Sequence, residues 1–240
     1  MKLLALSTTT PRGSAAVLLP GRPPFTAGYV DLQGHAERIF HAIDEALALA
    51  GVDRAELEAL ACDIGPGSFT GVRVGVASAK GIALALGLPL VGVVSLQAMA
   101  EAAFAGGGAE VGDVVLAAID AKKNEVFRAA YARGEDGALV EVLAPACSPQ
   151  STEALAITGE QRRVLLVGEI FAAIDLPSAM LLRGPSLDLP DAAFIGRLAL
   201  ARIAAGDHGD PALVEPLYVR DADAKPMAAP AKGDPGGDIG

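Results

Sequence analysis

The sequence predicts an α/β protein built from two similar halves, because one order of strands and helices occurs twice along the 240 residues. Apolar runs bounded by Gly, Pro or polar turns predict strands, and apolar residues spaced three or four positions apart predict helices. A glycine triplet at 106–108 separates the two halves. Two halves with one element order indicate a duplicated unit with a cleft between its two lobes.

Each half is predicted to begin with three strands. The first half has predicted strands at 2–8, 14–19, 25–32, 57–64 and 90–94, and helices at 34–50, 70–86 and 95–104. The second half has predicted strands at 114–119, 124–131, 139–143, 164–167 and 179–182, and helices at 150–158 and 191–204. The first helix is amphipathic, because Ile39, Ile43 and Leu47 share one face, and Gly51 follows its end.

A glycine-rich loop at 65–75 is the most informative motif, and it lies between a predicted strand and a long apolar helix. Gly65 and Gly67 allow backbone angles that other residues avoid, and Pro66 fixes the angle between them. Ser68 or Thr70 is expected to cap the helix. The loop lacks the lysine of a Walker motif, the spacing of a dinucleotide fingerprint and the central serine of a nucleophile elbow. None of these three catalytic loops is therefore predicted.

Small residues recur every four positions along the helix that follows the loop, at Gly71, Gly75, Ala79, Ala83 and Gly87. This spacing places them on one stripe of the helix surface. Glycine inside a helix costs about 1 kcal/mol relative to alanine, so close packing must compensate for it. The stripe either packs against the chain's own sheet or receives a helix of a partner protein, and we take the partner contact as the working hypothesis.

Composition and charge narrow the function classes. The formal net charge of −10 argues against unaided binding of nucleic acid, which requires a basic surface. Two cysteines, Cys62 and Cys147, fit a reduced cytoplasmic setting, and Cys62 is expected in the core. The uncharged stretch 81–100 has the length of a membrane span, but Pro89 interrupts it, so neither a span nor a membrane partner is predicted.

No metal site is predicted from the three histidines, His35, His41 and His208. His35 and His41 are six positions apart and lie on different faces of the first helix, so they cannot share one metal ion. His35 is interpreted as a residue at the start of that helix.

Several motifs together resemble the TsaB (YeaZ) family, the bacterial dimerisation subunit of the complex that forms threonylcarbamoyladenosine in tRNA. They are the glycine loop through Arg73 and the segments 3–8, 35–38, 79–81 and 120–126, and the resemblance covers most of residues 1–225. It implies an actin-like or Hsp70-like (ASKHA) α/β fold of two βββαβα subdomains with mixed sheets flanked by helices. The expected domains are residues 1–105 and 109–224, followed by a Pro/Gly-rich tail at 225–240 that is expected to be disordered.

The resemblance also implies that this chain is an accessory subunit and not an enzyme. In the family, a catalytic paralogue called TsaD carries the metal and the ATP-like chemistry, and an ATPase subunit called TsaE joins the complex. This chain alone is then expected to bind no cofactor, to meet tRNA only indirectly and to form a homodimer when its partner is missing. A cytoplasmic location is expected.

The predicted partner interface lies on the first helix and on the helix after the glycine loop. Its residues are His35, Glu37, Arg38, Ile39, Ile43, Gly71, Val72, Arg73, Gly75, Val76, Ala79 and Lys80. For the charged members, a solvated or snorkelling side chain is the alternative interpretation. The resemblance further marks Ser7, Thr8 and Asp120 as a vestigial nucleotide site. A hydroxyl at Ser7 cannot supply the negative charge that Mg²⁺ needs.

Two other function classes stay open on the sequence alone. The first is an ATPase, a sugar-kinase-like protein or a peptidase that uses the cleft between the lobes together with Asp120. The second is a homodimeric structural protein without a link to RNA. Ser7, the missing Walker pattern and the missing pair of metal ligands argue against the enzyme.

Overall fold

Two mixed five-stranded sheets form the framework of the protein in a computed structural model, which describes residues 1–30, 35–155, 157, 162–173 and 179–220. The strands are β1 (Leu3–Ser7), β2 (Arg12–Leu18), β3 (Phe25–Val30), β4 (Ala59–Asp63), β5 (Leu90–Val93), β6 (Val114–Lys122), β7 (Glu125–Arg133), β8 (Leu139–Pro149), β9 (Val164–Val167) and β10 (Ala179–Leu182). The helices are α1 (His35–Ala50), α2 (Phe69–Leu86), α3 (Ser95–Ala105), α4 (Thr152–Leu155), α5 (Pro185–Asp188) and α6 (Ala192–Ala204), with 3₁₀ turns at Arg54–Glu56 and Glu169–Ala173.

The two sheets have the same topology. The first has the strand order β3-β2-β1-β4-β5, and the second has the order β8-β7-β6-β9-β10. In each sheet the first three strands form an antiparallel meander, and the last two run parallel to the central strand. The prediction of a duplicated unit with mixed sheets is therefore confirmed.

The central strands of the first sheet are covered on both sides, which explains their continuous apolar sequences. All five residues of β1 and of β4 are buried. Helices α1 and α2 cover one side of this sheet, and α6 covers the other. Cys62 of β4 is fully buried and belongs to the core, as predicted.

The last helix of each half packs on the sheet of the other half. Helix α3, from the first half, packs on β6, β7 and β9 through Leu96 and Met99. Helix α6, from the second half, packs on β1, β2 and β4 through Ile195. The predicted subdomains 1–105 and 109–224 therefore exchange a helix, and the glycine triplet between them does not separate two independent cores.

A buried carboxylate joins the two exchanged helices to β7. Glu101 of α3 has a side chain that is 4% exposed, and it forms ion pairs with Arg133 of β7 (2.6 Å) and Arg197 of α6 (2.8 Å). Arg133 also lies over the ring of Phe104, 4.8 Å from its centroid. The charge of Glu101 is thus paired where α3, α6 and β7 meet.

We expect Glu101→Ala to lower the free energy of unfolding by about 2 kcal/mol, because it removes the paired charge from a largely buried arginine. The side chain of Arg197 is 59% exposed, so water can hydrate its charge in the variant, which limits the loss of stability. Denaturation in urea measures the change. Glu45→Ala on the exposed side of α1 is the control and should change stability by no more than about 0.5 kcal/mol. Equal losses for both variants would contradict a structural role of Glu101.

The second half differs from its predicted elements in extent. Strands β6 and β8 continue past the predicted ends at 119 and 143, to Lys122 and Pro149. Their pairing with β7 continues through irregular positions that interrupt the apolar pattern. The helix predicted at 150–158 forms over Thr152–Leu155. Residues 156 and 158–161, like the predicted tail 225–240, lie outside the described residues.

Candidate functional site

The glycine loop brings the start of α2 against the segment that follows β1. Gly65 has a φ of 96°, a backbone conformation that favours glycine. The Ser68 amide donates to the Thr9 carbonyl (2.7 Å), and a Cβ added at Gly67 would lie 2.2 Å from the same oxygen. The Ser68 hydroxyl accepts from the Gly71 amide (3.3 Å) and caps α2, as predicted. The loop is therefore packed closely against its own chain.

Four of the five residues in the predicted stripe, Gly71, Gly75, Ala79 and Ala83, face the first sheet of the same chain, whereas Gly87 is exposed at the end of α2. A Cβ added at Gly71 would lie 2.1 Å from the Thr8 carbonyl oxygen, and one added at Gly75 would lie 2.3 Å from the Thr8 hydroxyl. That hydroxyl donates to the Gly71 carbonyl (2.7 Å). Ala79 and Ala83 are buried in the same core. Packing against the chain's own sheet is thus the correct interpretation, and the predicted partner contact through this stripe is wrong.

Four apolar residues of the predicted interface are core residues too. Ile39 and Ile43 of α1 and Val72 and Val76 of α2 are at most 4% exposed and pack beneath the two helices. An amphipathic pattern identifies the buried face of a helix, and here that face meets the sheet. The prediction that these side chains contact a partner is therefore corrected as well.

The charged residues of the predicted interface lie at or near the surface. Glu37 and Arg38 are exposed near the start of α1, and Arg73 is exposed in α2. Lys80 is half-buried, and its Nζ donates to a backbone carbonyl (3.4 Å). Helix α1 begins at His35, as predicted, and only the backbone of that residue is described. Contact of these residues with a partner stays a prediction.

A second row of small residues lies on the outer side of α2. Ala77, Gly81 and Ala85 are exposed at four-residue intervals, and a Cβ added at Gly81 would meet no described atom within 4 Å beyond the adjoining residues and backbone of α2 itself. Leu84 is 71% exposed, and Phe40 on α1, which contacts α2, is 43% exposed. We call these five residues the outer α1–α2 face. Sequence reasoning missed it because the buried stripe has the same four-residue spacing and contains more glycine.

Helix α2 is apolar on both sides. By length and composition alone, it is the one helix in the described part of the chain that could cross a membrane. Its inner side, however, is fixed on the sheet through the close contacts with Thr8, and Arg73 and Lys80 are charged. The exposed side of α2 thus belongs to a helix whose opposite side packs on the first sheet.

A buried carboxylate that sequence reasoning missed lies beside the glycine loop. Asp63, the last residue of β4, is 1% exposed. Its Oδ2 accepts from the hydroxyls of Ser7 (2.8 Å) and Thr9 (2.6 Å). Its Oδ1 accepts from the hydroxyl of Ser95 (2.5 Å) and the amide of Gly65 (2.9 Å). The network therefore connects the end of β1, the glycine loop and the start of α3.

The electrostatics of Asp63 reflect its position. Burial raises the pKa of its carboxyl above the ordinary value, and the hydrogen bonds from its four donors oppose that rise. A signal for this residue was present in the sequence, because Asp63 is a charged residue that ends an apolar strand directly before the glycine loop.

The residues of the predicted vestigial nucleotide site are all bonded within the chain. Ser7 and Thr8 are fully buried, and their hydroxyls donate to Asp63 and to a backbone carbonyl. Asp120 accepts from the amide (2.7 Å) and the ammonium group (2.6 Å) of Lys122. Burial raises the pKa of Asp120, but the bonds from Lys122 outweigh it and leave the pKa below its ordinary value. That these three residues are a vestigial nucleotide site stays a prediction.

Among the described residues, no group of three or more His, Cys, Asp or Glu side chains could hold a metal ion.

A cavity of about 920 Å³ opens between the two lobes, where the duplicated unit predicts a cleft. Phe69 and Arg73 of α2 line it from one side, Asp120 and Glu169 line it from the other, and Tyr218 lies in the segment after α6. Arg73 lies over the Phe69 ring, 3.7 Å from its centroid, and its Nε donates to the Tyr218 hydroxyl (2.8 Å). The cavity thus contains an arginine held in a fixed orientation.

The two mixed five-stranded sheets of like topology define a class: two-lobed proteins of the actin-like (ASKHA) fold. Residues 31–206 match the family TsaD, tRNA N6-adenosine threonylcarbamoyltransferase. The tRNA threonylcarbamoyladenosine biosynthesis protein TsaB of Haemophilus influenzae is 35% identical over 92% of this chain and 94% of its own length. The protein of that name from Escherichia coli is 33% identical over 92% of this chain and 95% of its own length.

A solved structure leads to the same family. YeaZ from Pseudomonas aeruginosa superposes with a TM-score of 0.79 at 30% identity, over 90% of this chain and 99% of that chain. The chain belongs to the TsaB family, as the sequence motifs indicated.

Proposed function

We propose that this chain is a non-catalytic, cytoplasmic subunit in the formation of threonylcarbamoyladenosine in tRNA. It binds the catalytic paralogue TsaD through the outer α1–α2 face and supports it in an active arrangement. Membership of the TsaB family and the match of residues 31–206 to the TsaD family support the process and the partner. The proposed contact surface rests on one observation: Ala77, Gly81 and Ala85 form an exposed row on α2, and Leu84 of the same helix is also exposed.

Small side chains on this face suit the docking of other helices. They let the backbone of a facing helix come close, and the exposed side chains of Leu84 on α2 and Phe40 on the neighbouring helix α1 supply apolar area that loses its contact with water on binding. A paralogue of the same fold carries a corresponding pair of helices, so the two pairs form a four-helix contact. Glu37 and Arg38 place charges of both signs near the start of α1, at the rim of this contact.

In this proposal TsaD and the ATPase subunit TsaE bind the metal and ATP, and the internal bonds of Ser7, Thr8 and Asp120 support a chain without a nucleotide of its own. The tRNA meets this chain only through the complex, in keeping with the net charge of −10. Without TsaD, the exposed apolar face pairs with a second copy of the chain.

Two substitutions at one position separate partner binding from folding. Gly81→Ala and Gly81→Arg both replace a helical glycine that has open space around it, so each should raise the free energy of unfolding by about 0.5–1 kcal/mol. Gly81→Ala should keep the affinity for TsaD, and Gly81→Arg should lower it by about a hundredfold, since a long cation prevents close approach of the facing helix. Titration calorimetry with purified TsaD measures both. Unchanged affinity of folded Gly81→Arg would refute the proposed surface.

The alternative function is an ATPase, kinase-like or peptidase-like enzyme that uses the cavity between the lobes and Asp120. The cavity volume favours it, and the internal bonds of Ser7, Thr8 and Asp120 argue against it. Calorimetry of the isolated chain with Mg²⁺ and ATP distinguishes the two. We expect no binding, whereas micromolar binding that Asp120→Asn abolishes would favour the enzyme.

A further inference from the structure

We infer that the cavity between the lobes is a binding site for a ligand with one carboxylate on an apolar body, and that Arg73 holds the carboxylate. This inference goes beyond the proposed function and does not rest on it. A chain that never met TsaD would bind the same ligand.

The orientation of Arg73 is fixed before a ligand arrives. The face of its guanidinium lies over the Phe69 ring, 3.7 Å from the centroid, and its Nε donates to the Tyr218 hydroxyl (2.8 Å). The rings of Phe69 and Tyr218 support each other, with centroids 5.4 Å apart. An arginine that is stacked and bonded in this way loses little side-chain freedom when it binds an anion.

The free end of Arg73 has the geometry of a carboxylate site. Among the described residues, none accepts a hydrogen bond from its two terminal Nη nitrogens. Two parallel N–H groups match the two oxygens of a carboxylate in a bidentate pair. The Tyr218 hydroxyl accepts from Arg73 Nε, so its own proton is available to a ligand oxygen.

The walls of the cavity fit an apolar body attached to that carboxylate. Val72, Ile119, Phe127, Leu189 and Leu217 line it. Its volume of about 920 Å³ lies within the range of sites that take small molecules or short peptide ends. An apolar body in contact with these side chains adds affinity that Arg73 alone, at the surface, would not provide.

The charges around the cavity favour one negative charge over several. Lys122 is paired with Asp120 (2.6 Å), and Arg220 is paired with Glu125 (2.8 Å). Glu169 lines the same cavity from the second lobe. With Arg73 as the unpaired cation of the described lining and a carboxylate on the other lobe, the site suits a monoanion and repels a polyphosphate.

The test compares the binding of a carboxylic acid with that of its uncharged amide. N-acetylphenylalanine and N-acetylphenylalaninamide are titrated into the full chain by NMR. The Nε–Hε signal of Arg73, assigned by its absence in Arg73→Gln, is the local probe in the parent chain, and the backbone amide of Gly67, which also lines the cavity, is the probe in every variant. We expect the acid to shift these signals and to bind about tenfold or more tightly than the amide. Arg73→Gln should lose that preference. Arg54→Gln, which removes the same charge from an exposed arginine of the turn after α1 that does not line the cavity, should keep it.

Two further probes complete the experiment. The tripeptide acetyl-Ala-Ala-Phe with a free carboxylate identifies the source of the ligand: tighter binding than the capped amino acid indicates the C-terminal end of a peptide, and equal or weaker binding indicates a free small acid. ATP is the polyanion control. The inference is overturned if acid and amide bind equally, if Arg73→Gln binds the acid as well as the parent chain, if ATP binds more tightly than the acid, or if no probe binds up to about 10 mM.

Discussion

Replacing Gly71 by alanine should lower the free energy of unfolding by about 2–3 kcal/mol, although alanine is the better helix former. The added methyl group would lie 2.1 Å from the carbonyl oxygen of Thr8 and 3.2 Å from its carbonyl carbon. These are backbone atoms of the residue directly after β1, so relief requires α2 to move away from the sheet. Urea denaturation of the parent and the variant measures the loss.

The matched control lies ten residues further along the same helix. Gly81→Ala introduces the same methyl group where nothing lies within 4 Å, so it should stabilise the chain by about 0.5–1 kcal/mol. The two substitutions should therefore change the free energy of unfolding in opposite directions, because Gly71 lies against the backbone of Thr8 and Gly81 has open space around it. Stabilisation by Gly71→Ala would contradict the close packing of α2 on β1, and with it the assignment of the inner face.

Replacing Asp63 by alanine should cost about 3 kcal/mol of stability and loosen the glycine loop. The change leaves the hydroxyls of Ser7, Thr9 and Ser95 and the amide of Gly65 without their shared acceptor in a buried position. Urea denaturation gives the loss, and hydrogen exchange at the Gly65 amide reports the loop directly. Asp44→Ala, which removes an exposed carboxylate of α1 paired with Arg54, is the control and should cost no more than about 0.5 kcal/mol.

The pH dependence provides a second test of Asp63. Burial raises the pKa of this carboxyl in the folded chain above its unfolded value. For a carboxyl with a raised pKa, the contribution to stability is complete below the unfolded pKa and is lost as pH rises through the folded pKa. The stability difference between the parent and Asp63→Asn, which cannot ionise, should therefore shrink as the pH rises from the unfolded pKa of about 4 through the raised folded pKa. A difference that grows over this range would show that the hydrogen bonds, and not burial, determine the pKa.

The framework was predictable from the sequence because its signals are local. Apolar runs such as 2–8 and 114–119 became the central strands β1 and β6, and the break at 106–108 marked the repeat. The exchange of α3 and α6 between the sheets was not predictable, because the apolar faces of both helices fit either sheet. The sheet on which each helix packs depends on the three-dimensional path of the chain and not on the apolar pattern of the helix.

The contact surface was harder to predict, for a specific physical reason. Gly71 and Gly75 showed correctly that something approaches α2 closely, but spacing alone does not say whether the neighbour is Thr8 of the same chain or another protein. Gly81 carried the complementary signal, a helical glycine outside that row. The role of Asp63 was not predictable for a different reason. A single acidic residue at a strand end gives no sign of its partners, and the hydroxyls that donate to Asp63 come from distant parts of the sequence.

Photo-crosslinking from two exposed positions tests directly whether TsaD docks on the outer α1–α2 face. Benzoylphenylalanine replaces Leu84 on α2 in one variant and Val140 on β8 of the second sheet in the other; both side chains are more than half exposed. Each variant is mixed with purified TsaD and irradiated. We expect a covalent product with TsaD from position 84 and none from position 140. A product from position 140 alone would contradict the proposed docking surface.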